Sequence, residues 1–214
     1  YTFWLLGELG NVARIQGDFL QADRHLRECL AGFRHLRDGS RVANVLKHLG
    51  HLAVATGDFR SAQVHYDASL AQSEDIGDRL HSGIVLGDLG NLARRQGDHA
   101  EAVRRWRACL AQLCQFEGHN WCVGWAMSNV GTMAIQRQSH RQGVRLIGAA
   151  ASAYPDFLLA LDPDERDDCT ARLQGSRAAL GEPAFVAAWT QGQALSRSEA
   201  FDAAVEALGS QGSA

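Results

Sequence analysis

Apolar residues recur along this chain in phase with an α-helix, and the phase itself recurs. The stretch GELGNVARIQGD (7–18) returns as KHLGHLAVATGD (47–58) and again as GDLGNLARRQGD (87–98). The anchor glycines Gly10, Gly50 and Gly90 stand 40 residues apart, and a fourth copy fits at Gly131, one residue late. One residue before each anchor comes Leu9, Leu49, Leu89 or Val130, and four before it Leu6, Leu46, Leu86 or Met127. Three after it comes Ala13, Ala53, Ala93 or Ala134. These offsets put large and small apolar residues on one helix face, the small ones admitting a second helix at close range.

Punctuation follows each such helix. Gly17, Gly57 and Gly97 suit a left-handed residue just past a helix end, and Asp18, Asp58 and Asp98 suit the N-cap of the next helix. Gln21 and Glu101, three residues on, complete a predicted capping box in copies one and three. The second helix carries Ala22, Ala62, Ala102 or Gly143, then Leu26, Tyr66, Trp106 or Ile147 one turn later. Each copy therefore reads as helix, tight turn, helix. One such hairpin cannot bury its own apolar face, whereas a stack of them can. The units run over about 2–38, 40–77, 79–118 and 120–155, filling a repeat domain at 1–155.

Residues 156–214 are a different segment. Pro155 breaks the second helix of copy four, and Asp162 with Pro163 opens another helix that runs to Leu180. Gly181 ends it, Pro183 starts the next, and Ser196 with Glu199 caps a last one to Leu208. Leu173, Leu180, Phe185, Trp189, Leu195, Phe201, Val205 and Leu208 supply the apolar cover that the end of a stack needs.

The phrase Leu-Gly with Ala three residues later, then Ala, then a large aromatic, resembles the tetratricopeptide repeat. In copy three Leu86, Leu89, Gly90, Ala93, Ala102, Trp106 and Cys109 fill the family's places. Alanine stands at the family's tyrosine place, and its proline place holds Arg34, Glu74 or Cys114, which lets the helices run past the usual unit of about 34 residues. The resemblance implies an all-α, right-handed superhelical solenoid of antiparallel helix hairpins, closed by a C-terminal helical cap. The tail from Leu180 to Ala200, LGEPAFVAAWTQGQALSRSEA, is similar to the C-terminal region of large bacterial signalling ATPases and LuxR-type transcription regulators. That likeness implies a cytoplasmic parent protein with an ATPase or DNA-binding domain. The chain opens at Tyr1, without methionine and directly on a repeat, so it reads as a piece of a longer protein with earlier repeats upstream.

Composition adds exclusions. The net charge is −3 and the basic residues do not cluster, which argues against direct nucleic-acid binding. No run of 18 apolar residues predicts a membrane span. Five cysteines without framework spacing read as reduced thiols; Cys114, His119 and Cys122 lie close together but lack a fourth metal ligand. No phosphate-binding loop, H-E-x-x-H or G-x-S-x-G occurs, so we expect neither cofactor nor catalytic site. The acidic run Asp162–Asp168 reads as a helix N-terminus stabilised by its dipole.

The repeat's product is a surface. In a tetratricopeptide stack the first helix of each copy lines the concave face. The residue after each anchor is Asn11, His51, Asn91 or Thr132. An amide offers donor and acceptor together, which matches an extended peptide backbone, and the family often uses asparagine there for that purpose. Arg14, Lys47, Arg94 and Arg95 add positive charge for an acidic side chain or terminal carboxylate. Tyr66 and Trp106 are core residues; Trp4 and Trp125 fall near the inner rim. The expected function is a non-enzymatic module that binds a protein, a peptide or a small effector in the groove and contacts the rest of its parent chain. The alternative is an oligomerisation scaffold or a free-standing adaptor.

Overall fold

The structure is a computed structural model that describes residues 2–116, 118 and 120–209. Among these residues there are eleven α-helices, one 3₁₀ turn and no strand. Contacts divide the chain into two compact units, Tyr1–Gln112 and Leu113–Ala214.

The first unit is built from α1 (Thr2–Ile15), α2 (Phe19–His35), α3 (Gly39–Ala55), α4 (Phe59–Asp75), α5 (Arg79–Arg95) and α6 (His99–Leu113). α1 pairs with α2 and α3 with α4, while α2 also packs on α3 and α4 on α5. One core cluster joins Leu26, Leu30 and Phe33 of α2 to Val45, Leu49 and Leu52 of α3. The next joins Tyr66 of α4 to Val85, Leu89 and Leu92 of α5. The glycine anchors seat the large residue of the second helix. A Cβ at Gly10 would lie 2.8 Å from Leu26 Cγ, one at Gly90 2.7 Å from Trp106 Cδ1, and one at Gly50 would overlap the Tyr66 ring.

The turns repeat twice as often as the 40-residue phrase. Asp18, Asp38, Asp58, Asp78 and Asp98 each accept a backbone N–H three residues on, at 3.0–3.1 Å. The residue before each cap closes the preceding helix in the left-handed region, at Gly17, Arg37, Gly57, Gly77 and Gly97. The N–H of the aspartate then reaches back to the third-last residue of that helix, as in Asp18 to the Ala13 carbonyl at 2.9 Å. The capping boxes predicted at Gln21 and Glu101 do not close. Gln21 instead meets His25 at 2.9 Å, and Glu101 binds Arg104 and Arg105, while the N–H groups of Asp18 and Asp98 are already given to the Ala13 and Ala93 carbonyls of the preceding helices.

The second unit contains α7 (Asn120–Gln136) and α8 (His140–Ala153), the hairpin of copy four, then the 3₁₀ turn Phe157–Ala160, α9 (Pro163–Leu180), α10 (Glu182–Gln193) and α11 (Arg197–Gly209). α8 stops at Ala153, two residues before Pro155. Phe185 and Ala188 of α10 bury with Val144 of α8, and Leu173, Leu180 and Trp189 pack against them. α11 lies on α7 and α8. Its capping box closes both ways: the Ser196 N–H donates to Glu199 Oε2 at 2.8 Å, and the Glu199 N–H donates to Ser196 Oγ at 3.3 Å. Val205, expected in the cover, is exposed instead.

In copy four the glycine turn is held by Gln138, at φ 66°. A side chain there costs about 1 kcal/mol or more. Gln138→Gly is therefore expected to stabilise the chain by about 0.5–1 kcal/mol, read as a rise in the denaturant midpoint at unchanged slope.

Candidate functional site

The first helices of the first unit lie side by side: α1 contacts α3, and α3 contacts α5. Seven of the eight sequence-predicted residues lie on these three helices, Asn11 and Arg14 on α1, Lys47 and His51 on α3, and Asn91, Arg94 and Arg95 on α5.

Burial orders this row. Arg14 and Asn91 are buried, whereas Asn11, Lys47, His51, Arg94 and Arg95 are partly exposed. The expected open ladder of amides is modified at its first rung: the Asn11 side-chain oxygen accepts from Arg14 Nε at 3.2 Å and Nη2 at 3.0 Å. The pairing spreads the charge of a buried guanidinium onto a neighbour one turn away. Thr132 does not present its hydroxyl to a groove. It is buried in α7 and donates to the Ser128 carbonyl at 2.7 Å, the usual use of a mid-helix threonine. Trp125 is likewise buried, while Trp4 is exposed.

The centre of the face is a cluster that the sequence analysis reached only through Lys47 and His51. His51 Nε2 lies 3.2 Å from Asp88 Oδ2 of α5. His48 stands edge-on to His51, and His51 edge-on to Tyr66, with ring centroids 5.9 and 5.7 Å apart. Burial holds His48 well below the ordinary imidazole range, and the charge of Lys47 adds to it. His81 is pushed down to about 4, first by burial and then by Lys47. Ser69 Oγ donates to the Ala43 carbonyl at 2.7 Å, so its lone pair receives the Nε2–H of neutral His81 at 3.2 Å. A buried, fully engaged serine is not a nucleophile in waiting. The signal for Asp88 was its register: residues 8, 48 and 88 are Glu8, His48 and Asp88, polar at one place in each first helix.

This cluster makes stability fall with acid. Between pH 6.5 and about 4 the unfolded chain takes up the His81 proton and the folded chain does not. Stability is thus full above pH 6.5 and declines as pH drops through that window. At ~1.4 kcal/mol per unit, His81 alone accounts for a loss of about 3 kcal/mol by pH 4. Urea melts at pH 7, 6 and 5 read this directly, and His81→Gln should flatten the slope.

A second concavity, about 580 Å³, opens at the edge of the same unit between Phe3, Trp4, Phe33, Leu36, Asp38 and Arg41. Arg41 lies over the Phe33 ring at 5.3 Å and pairs with Asp38 at 3.0 Å. Among the described residues no group of three His, Cys, Asp or Glu side chains is placed to hold a metal ion; His119 lies outside them. No helix among them is long and apolar enough to cross a membrane.

Residues 1–75 match the tetratricopeptide repeat family. With the stacked hairpins, this match defines a tetratricopeptide-like domain, a class of repeat that generally mediates protein–protein interaction. The fold is also similar to the crystal structure of BtubC (BKLC) from P. vanneervenii, with a TM-score of 0.57 over 83% of this chain and 80% of that one, at 18% identity. At that identity the likeness concerns the fold. No curated protein matches the sequence significantly.

Proposed function

We propose that the chain is a non-enzymatic binding module that holds a protein or peptide segment along the α1–α3–α5 face, with Lys47 and His51 at the centre. The supporting observation is the row of partly exposed Asn11, Lys47, His51, Arg94 and Arg95 on three adjacent first helices. Three of the five are Lys or Arg, so the ligand class is an extended segment with an acidic side chain or a free carboxyl terminus. His51 directs its Nε2–H at the Asp88 carboxylate, which fixes the ring and leaves Nδ1 as an acceptor. Thr132 has no part in this reading.

The parent in this reading is a cytoplasmic bacterial signalling ATPase or transcription regulator, and the module is its sensor or interaction arm. The support is the phrase from Leu180 to Ala200, whose glycine, tryptophan and serine spacing is similar to that group's tail. Binding would bias the parent by changing how the module docks against the rest of the chain.

The test is a pool of peptides ending in acidic residues, titrated against the full chain at low and high salt. Lys47→Glu should weaken the selected peptides at least tenfold, and the joint Asn11→Ala and His51→Ala change should do the same. Both sets of variants should keep their helical content. Peptides that bind both as tightly as the parent chain would show that the ligand sits elsewhere.

A further inference from the structure

The second unit holds a cavity that the α1–α3–α5 face does not involve. It measures about 300 Å³ and lies between the 3₁₀ turn, α9 and α10. That volume falls at the small end of the range for small-molecule sites. Leu158, Leu173, Phe185 and Trp189 supply its apolar wall. The Phe185 and Trp189 rings are nearly parallel, with planes 14° apart and centroids 6.3 Å apart. Phe185 is rooted in the core beside Val144 and Ala188, so this aromatic wall stands before any ligand arrives. Nor can α10 close on α9 to fill the space, because its backbone is held against that of α8 at Gly148 and Gly192.

The polar groups of the cavity stand on one stripe. Thr170, Gln174 and Arg177 of α9 recur, with Leu173, at three- and four-residue spacing and so share a helix face. Among the described residues Arg177 is the one charged group in the lining, and no carboxylate lines it. Its guanidinium carbon lies 4.3 Å from the centre of the Phe185 ring. Its Nη1 donates to both carboxylate oxygens of Glu182, at 2.8 and 3.0 Å. Glu182 thus holds the guanidinium by one nitrogen, while Nε and Nη2 keep their hydrogens for another acceptor. The Gln174 amide and the Trp189 indole N–H also hold no hydrogen bond among the described residues.

We propose that this cavity binds a small aromatic carboxylate, its rings against Phe185 and Trp189 and its carboxylate on the Nε–Nη2 edge of Arg177. The wall selects the aromatic body, since flat rings stack on flat rings. One cation and no acid in the lining select a single negative charge. A planar guanidinium edge suits a carboxylate, which it meets with two parallel hydrogen bonds. The site is separate from the peptide-binding face proposed above and stands or falls without it.

The test titrates the full chain with 2-naphthoate and with neutral 2-naphthylmethanol, following the Trp189 indole N–H signal by NMR, assigned with Trp189→Phe. The naphthoate should shift that signal saturably with a Kd of about 1 mM or tighter. The alcohol should bind at least tenfold more weakly. Arg177→Leu should bring the naphthoate down to the level of the alcohol, while the alcohol itself changes little. The Arg177–Glu182 pair is exposed and adds little stability, so the fold persists in that variant. Thr170→Trp, at an exposed rim position, should fill the cavity and abolish binding of both probes. No saturable shift at Trp189, or naphthoate affinity that Arg177→Leu leaves intact, would overturn the proposal. So would a preference for the alcohol, which fits an apolar side chain of a partner protein. A preference for 2-naphthylmethylamine would overturn it too, since Glu182 would then be the recognising group.

Discussion

Gly192→Ala will destabilise the second unit by about 2–3 kcal/mol, and Gly175→Ala, the same swap in the same unit, will stabilise it by about 0.5–1 kcal/mol. In isolation a mid-helix glycine replaced by alanine gains about 1 kcal/mol, because the unfolded chain loses freedom. Gly175 of α9 has open space around its would-be Cβ and should show that gain. Gly192 of α10 faces the backbone of α8, and its Cβ would overlap the Arg145 carbonyl. The same pair of helices meets again at Gly148, where a Cβ would lie 2.5 Å from the Trp189 carbonyl oxygen. Main chain cannot rotate away as a side chain can, so α8 and α10 must separate, and Phe185 with its neighbours loses contact. Paired urea melts decide the point by sign alone. Equal gains for both variants would mean that the two helices do not pack at backbone distance.

The second large effect is at Trp106. Its side chain is fully buried, seated on Gly90 at the place that Tyr66 fills over Gly50. Trp106→Ala should cost the first unit about 3–5 kcal/mol, the range for emptying a fully packed aromatic site. Trp106→Phe should recover much of that loss, and Val64→Ala on an exposed face should change little. A small loss for Trp106→Ala, matched to that of Val64→Ala, would mean the repeat's large residue is not the knob that locks α5 to α6.

The hairpins, their order and the buried identity of Leu26, Tyr66, Trp106 and Ile147 were legible because one physical constraint was written four times. The 20-residue period of capping aspartates was less so. Asp38 follows Arg37 rather than glycine, and a sequence pattern keyed on Gly-Asp passes over it. The site was legible in register but not in depth. Periodicity places residue 11, 51, 91 or 132 on one helix face, yet it does not tell that Thr132 and Asn91 are buried while Asn11 is half-open. Nor can it pair His51 with Asp88, which lie on different helices and meet only once α3 and α5 are stacked.

The central claim is that a ligand segment lies along the α1–α3–α5 face. A photo-cross-linking residue at position 51, on α3, tests it against one at position 64, on the exposed side of α4. With peptides selected from the acidic pool, the account predicts cross-links from position 51 and none from position 64. Cross-links from position 64 alone, or from neither, would contradict it.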